Sequence, residues 1–164
     1  MRKTMLIALI AAMPVFGAPC ASPQHAAFDF WIGDWDVTAP DGTPAGSSHV
    51  ERILDGCVVM ENWTNAKGGY AGKSFNTLDP GSGQWTQHYV DNGGLSAILT
   101  GAFADGNLVY HRQFRRKDGT EMRTRMTFFN VSPGKVRQLV EQSKDGGKSW
   151  NVAYDLRYSR RSAK

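Results

Sequence analysis

The 164-residue sequence predicts an all-β protein, an antiparallel up-and-down barrel of about ten strands. Two observations carry this expectation. Glycine-containing turn signals recur nine times, mostly 12 to 15 residues apart, which leaves room for one strand between each pair. Glycine, asparagine and aspartate tolerate the positive φ values that tight reversals require. The segment after the last turn also alternates strictly. Trp150, Val152, Tyr154, Leu156 and Tyr158 share one face, and Asn151, Ala153, Asp155, Arg157 and Ser159 the other. That is the period of a strand with one buried side.

The chain opens with Arg2 and Lys3, an apolar stretch from Met5 to Phe16 and the small residues of "GAPCAS". This pattern reads as a secretory signal peptide over residues 1–21, cut after Cys20 or Ala21. The apolar stretch is shorter than the roughly 20 residues of a transmembrane helix, and no second one follows. The expected product is an exported bacterial protein, periplasmic or secreted, with one barrel domain over residues 22–164. A lipid on Cys20 is the other reading, but Pro19 stands where a lipoprotein signal wants a small residue. With Cys20 removed, Cys57 stays alone in the apolar run "CVVM" as a buried small hydrophobe, and no disulfide forms. The whole chain carries a formal +4. Loss of Arg2 and Lys3 leaves 17 cations against 15 acids, too mild a balance to imply nucleic acid.

The turn signals fall at Asp41-Gly42, Asp55-Gly56, Lys67-Gly68-Gly69, Pro80-Gly81, Asn92-Gly93-Gly94, Asp105-Gly106-Asn107, Asp118-Gly119, Pro133-Gly134 and Asp145-Gly146-Gly147. They bound strands at 34–40, 46–54, 57–65, 70–78, 84–91, 95–104, 107–116, 120–131, 135–143 and 149–160. Short connections make neighbours antiparallel. Such a series must hide its edges, and closure into a barrel does so. A two-sheet sandwich is the main alternative. Ahead of the first strand, Phe28, Phe30 and Trp31 supply aromatic surface to cover one end.

Gly33-Asp34-Trp35 resembles the G-x-W of lipocalins and their calycin relatives. In those proteins the tryptophan packs across the closed end, often beneath an arginine of the last strand. Arg157 and Arg160 are the counterparts here. "FDFWIGDWDV", "DPGSGQWTQHYVDNGG" and "SKDGGKSW" together resemble a large bacterial family of exported proteins of uncharacterised function, itself related to nitrobindin-like barrels. The nitrobindin likeness implies haem held by a histidine late in the chain. This sequence departs from that pattern, since no histidine follows His111 and Gln138 and Gln142 occupy the late strands.

"SKDGGKSW" also matches the Asp-box pattern through Ser143, Asp145, Gly147, Ser149 and Trp150. In sialidases that box holds a β-hairpin and is not catalytic. A single copy cannot build a propeller, so the hairpin is the reading adopted.

The informative feature lies on the apolar faces. Glu61 falls between Val59 and Trp63, Gln87 between Trp85 and Tyr89, and Arg112 between Tyr110 and Phe114. Thr124 and Gln138 are flanked likewise by Met122 and Met126 and by Val136 and Val140. A buried carboxylate or guanidinium must pair, meet water or bind something, since desolvation costs several kcal/mol. Aromatic walls with a few convergent polar groups compose small-molecule sites. The candidate ligand-binding residues are therefore Glu61, Trp63, Gln87, Tyr89, Tyr110, Arg112 and Gln138. The competing reading is an internal network in which Glu61 pairs with Arg112, supported by Gln87 and Gln138, in a filled lumen.

Other features carry less. "RQFRRKDGTEMRTR" gathers Arg112, Arg115, Arg116, Lys117, Arg123 and Arg125 around one hairpin, as solvated strand charges commonly do. His25, His49, His88 and His111 form no metal-ligand motif, so no metal and no cofactor is read from them. Ser96, His88 and Asp91 are close in sequence without the setting of a catalytic triad. The expected function is binding of a small, partly apolar molecule without catalysis. The alternatives are a haem enzyme using His88 or His111, and a structural envelope protein contacting a partner. Oligomeric state is not readable.

Overall fold

Ten antiparallel strands close on themselves in the computed structural model, which describes residues 20–162. The candidate signal segment up to residue 19 lies outside the described residues. The strands are β1 (Gly33–Thr38), β2 (Pro44–Ile53), β3 (Val58–Asn65), β4 (Ala71–Asp79) and β5 (Gln84–Asp91), followed by β6 (Ser96–Ala104), β7 (Asn107–Arg115), β8 (Glu121–Ser132), β9 (Lys135–Ser143) and β10 (Asn151–Arg160). Each pairs with its sequence neighbours, and β1 closes the barrel on β10 through Trp35↔Arg160 and Val37↔Tyr158. The sandwich is thereby excluded. Every expected strand is present, its ends within a few residues of the turn-based limits. The turns work as their residues dictate: Asp105 and Gly106 hold φ of 50° and 76°, values that favour glycine and tolerate aspartate. No described helix is long and apolar enough to cross a membrane.

One strand departs from strict alternation. β10 carries a bulge between Val152 and Tyr154, where Val152 sits opposite Glu141 but Tyr154 opposite Val140. The extra residue, Ala153, reverses the faces of everything before it. Trp150 is therefore on the outer wall, with the Arg125 guanidinium 4.6 Å from its ring centre, and Val152 is exposed. Only Tyr154, Leu156 and Tyr158 of the five expected inward residues line the lumen.

One end is sealed by the segment before β1. A short helix, α1 (Pro23–Ala26), and a 3-10 turn (Asp29–Trp31) place Phe28 and Trp31 inside the barrel mouth, both fully buried. The Phe28 ring lies 5.1 Å from Trp31, 5.3 Å from Phe128 and 5.6 Å from Trp85. Burial of each such ring is worth about 1.5–3 kcal/mol, so the plug is a main contributor to the core. Trp35 beside it donates its indole N–H to the Trp31 carbonyl at 2.9 Å. The last-strand arginine over Trp35 is Arg160, 4.6 Å from the ring; Arg157 instead pairs with Asp155. Gly33, at φ 139°, leaves the space through which the Arg160 guanidinium reaches the indole, since a Cβ there would overlap it.

Two ties fix the plug to the wall. Arg52 of β2 bonds Asp29 at 2.7 Å and also reaches the carbonyls of His25 and Gly56. Cys20 and Cys57 form a disulfide, with Cα atoms 4.9 Å apart. This overturns the expectation that Cys57 stands alone as a buried hydrophobe. The bond requires Cys20 in the folded chain, so cleavage after Cys20 or Ala21 does not accord with it. A disulfide also belongs to an oxidising compartment, as export supplies.

Candidate functional site

Above the aromatic floor, the inward residues of the next layer are polar. Ser48 of β2 and Ser74 of β4 flank Glu61 of β3 in register, because Val50 and Ser74 are its cross-strand neighbours and Ser48 lies one step along. Their hydroxyls donate to the two Glu61 carboxyl oxygens, Ser48 to Oε1 at 2.8 Å and Ser74 to Oε2 at 3.1 Å. Asn76 donates to the Val59 carbonyl at 3.0 Å and accepts from Gln87 at 3.1 Å and from Tyr110 at 2.9 Å. On the opposite wall Tyr158 donates to Gln138 at 2.9 Å. Gln138 Nε2 reaches the Met126 sulfur at 3.1 Å. These groups form a belt in which almost every polar atom has a partner.

Beyond the belt the side chains leave a cavity of about 400 Å³ in the lumen. The cavity opens at the end opposite the plug, where the loops 39–43, 66–70, 92–95, 116–120 and 144–150 gather. Its walls carry the rings of Trp63, Tyr89, Phe114 and Tyr154, with Leu99 and Val140 between them. Two glycines make room for the rings. Trp63 lies against Gly46, where a Cβ would come within 2.7 Å of the indole, and Tyr89 lies against Gly72, where it would meet Tyr89 Cζ at 2.6 Å. At the rim, the Tyr70 hydroxyl bonds that of Tyr89 at 2.9 Å and donates to Asp91 at 2.8 Å.

Six of the seven sequence-derived candidates line this cavity: Glu61, Trp63, Gln87, Tyr89, Arg112 and Gln138. Tyr110 does not. It is fully buried beneath the cavity, where β6 and β7 approach closely at Gly101 and its hydroxyl is committed to Asn76. Sequence reading missed Ser48, Ser74 and Asn76, and also Tyr70 and Gln142, which line the mouth.

The Glu61–Arg112 pair of the competing, filled-lumen reading is not formed. β3 and β7 are four strands apart in the ten-strand ring. Strands spaced ~4.8 Å and tilted ~40° enclose a radius of ~10 Å, which puts such strands ~19 Å from each other. The two side chains together reach only ~12 Å from their Cα atoms. Arg112 instead stacks on Phe114, its guanidinium 4.5 Å from the ring centre, and it makes no ion pair among the described residues. Glu61 is 5% exposed and likewise faces no cation in this set. Burial pushes its carboxyl from the ordinary 4.5 up to about 7, against the opposing hydrogen bonds of Ser48 and Ser74. Burial also raises the phenols of Tyr89, Tyr154 and Tyr158, helped by the Tyr70 hydroxyl at Tyr89 and by the Glu61 charge at Tyr154 and Tyr158.

The remaining candidates resolve simply. His88 is exposed on the outer wall and bonds Ser96 at 2.9 Å, and His111 is exposed as well. A haem in the lumen would find neither histidine as an axial ligand, so the residues present do not fit that group. The Asp-box is a hairpin. Asp145 Oδ1 accepts from Ser143 Oγ at 2.7 Å and from the Lys148 and Ser149 amides at 3.0 Å, while Trp150 caps the Gly147 carbonyl at 3.1 Å. The Ser149 hydroxyl on Oδ2, together with those bonds, holds the Asp145 carboxyl well below its usual range. In the basic hairpin, Arg115 pairs with Glu121 and Arg125 with Glu141.

A closed ten-stranded barrel with one plugged end and an aromatic-walled cavity at the other fits the calycin-like architecture. No protein-family model and no curated protein sequence matches the chain.

Proposed function

We propose that the protein is an exported barrel that binds a small, partly apolar molecule in its lumen, without catalysis of its own. One observation carries this reading: the lumen holds a cavity of about 400 Å³ whose apolar rings surround groups that protein contacts leave incompletely matched, Glu61 and Arg112 above all. Volume and composition are those of a small-molecule site. Gln87 and Gln138, held by Asn76 and Tyr158, present their remaining hydrogen-bonding capacity to an occupant. The Arg160–Trp35 stack supports placing the chain beside the lipocalins and their calycin relatives, whose G-x-W its sequence resembles. The test is native mass spectrometry of protein taken from its source compartment, in the wild type and in Arg112→Met. A co-purifying molecule that the variant loses is the expected result. Unchanged binding in a variant of altered stability would assign Arg112 to the framework and remove the site.

A further inference from the structure

The chemistry of the two unmatched charges narrows the occupant. Glu61 and Arg112 carry opposite charge, line one cavity, and stand on walls too far apart to neutralise each other. Each is held in place by uncharged partners: Glu61 by the Ser48 and Ser74 hydroxyls, Arg112 by the face of Phe114. Such partners orient a charge without answering it. An ionised group removed from water is stabilised chiefly by an opposite charge that also hydrogen-bonds it. The wall near Glu61 adds a second feature. Trp63 follows it along β3, and the rings of Tyr89, Tyr154 and Tyr158 line the same cavity. A carboxylate among aromatic faces is an organic-cation site. A planar guanidinium matches a carboxylate in two parallel hydrogen bonds.

We infer that the cavity takes a dipolar amphiphile, with an ammonium group on Glu61, a carboxylate on Arg112, and an apolar body against the rings between them. This rests on the binding role proposed above and names its ligand class. A simple fatty acid would leave Glu61 unanswered at the buried end. A simple amine would enter past Arg112 without compensation.

Four probes with the same chain separate these cases: ω-aminooctanoate, octylamine, octanoate and octanol, titrated calorimetrically at pH 8. The dipolar probe is expected to bind at least about tenfold more tightly than either singly charged one, about one good charge-assisted contact. Glu61→Gln removes its advantage over octanoate, and Arg112→Met its advantage over octylamine. A second readout uses the wild type alone. An ammonium on Glu61 favours the ionised carboxyl, so binding at pH 7 releases protons, seen as a dependence of the heat on the buffer's ionisation enthalpy. The titratable groups facing Glu61, namely Tyr89, Tyr154 and Tyr158, stay protonated at this pH and do not contribute. Octanol binding as tightly as the dipolar probe overturns the inference while leaving a binding barrel. Tightest binding of octanoate or octylamine does the same and transfers the assignment to Arg112 or Glu61 alone. If none of the four binds, the ligand class is wrong, and the co-purification experiment decides separately whether the barrel binds anything.

Discussion

Replacing Glu61 by glutamine should flatten the pH dependence of stability between pH 4.5 and 7. The carboxyl is buried, and its proton is held up to about 7 in the folded protein against an ordinary 4.5. Between those values the unfolded chain has lost the proton and the folded chain keeps it. Stability from this group is therefore complete below pH 4.5, falls as pH rises through the window, and is gone above pH 7. At about 1.4 kcal/mol per pH unit the loss amounts to about 3 kcal/mol, or roughly 10 °C in Tm for a domain of this size. Glutamine keeps the shape and cannot ionise. Its oxygen accepts from one serine, and its NH2 donates to the other once that hydroxyl rotates. Urea unfolding at pH 4.5, 5.5, 6.5 and 8, in wild type and Glu61→Gln, isolates the contribution, because every other titrating group is common to both. The difference in unfolding free energy should shift by about 3 kcal/mol in favour of glutamine from the lowest pH to the highest. Parallel curves would refute the reasoning, since Glu61 would then have to be solvated or paired with a cation.

Four further outcomes follow from the packing. Cys57→Ser opens a loop of 37 residues, which chain entropy values at about 4 kcal/mol, so its urea midpoint should fall well below the wild type and no longer respond to reductant. The intact mass of the exported protein should include Cys20. Gly33→Ala places a Cβ against the Arg160 guanidinium at a φ of 139°, and should cost about 1–3 kcal/mol and change the near-UV circular dichroism of Trp35, at the end away from the cavity. Gly72→Ala pushes the Tyr89 ring toward the lumen; calorimetry with ω-aminooctanoate should show weaker binding while the thermal midpoint moves little.

How far the sequence carries depends on whether a feature is local. The turns were legible because the backbone at Asp105-Gly106 and its counterparts demands φ values that few residues accept, and each demand is met within two or three positions. The inward set on β3, β5 and β7 was legible because Val59, Glu61 and Trp63, and their equivalents, keep an unbroken two-residue count. β10 was not, since a single inserted residue at Ala153 reverses the count without any mark in the sequence. β4 hides its role differently. Its inner face is Gly72, Ser74, Asn76 and Leu78, and its outer face includes Phe75, so alternation suggests the opposite orientation. Only pairing with Glu61 and Gln87 reveals that small polar residues are what this wall needs.

The same distinction sorts the polar residues found between apolar ones. Gln87 and Gln138 each gain a partner from a neighbouring strand, Asn76 and Tyr158, so register alone accounts for their presence. Register gives Glu61 two hydroxyls, alternation along β7 gives Arg112 the Phe114 ring, and neither meets an opposite charge among the described residues. A belt required only to fix the pairing of strands would be satisfied by glutamine at position 61 and methionine at position 112. An ionisable acid and a guanidinium at those two positions, lining the same cavity, are what a framework role leaves unexplained and a dipolar occupant accounts for.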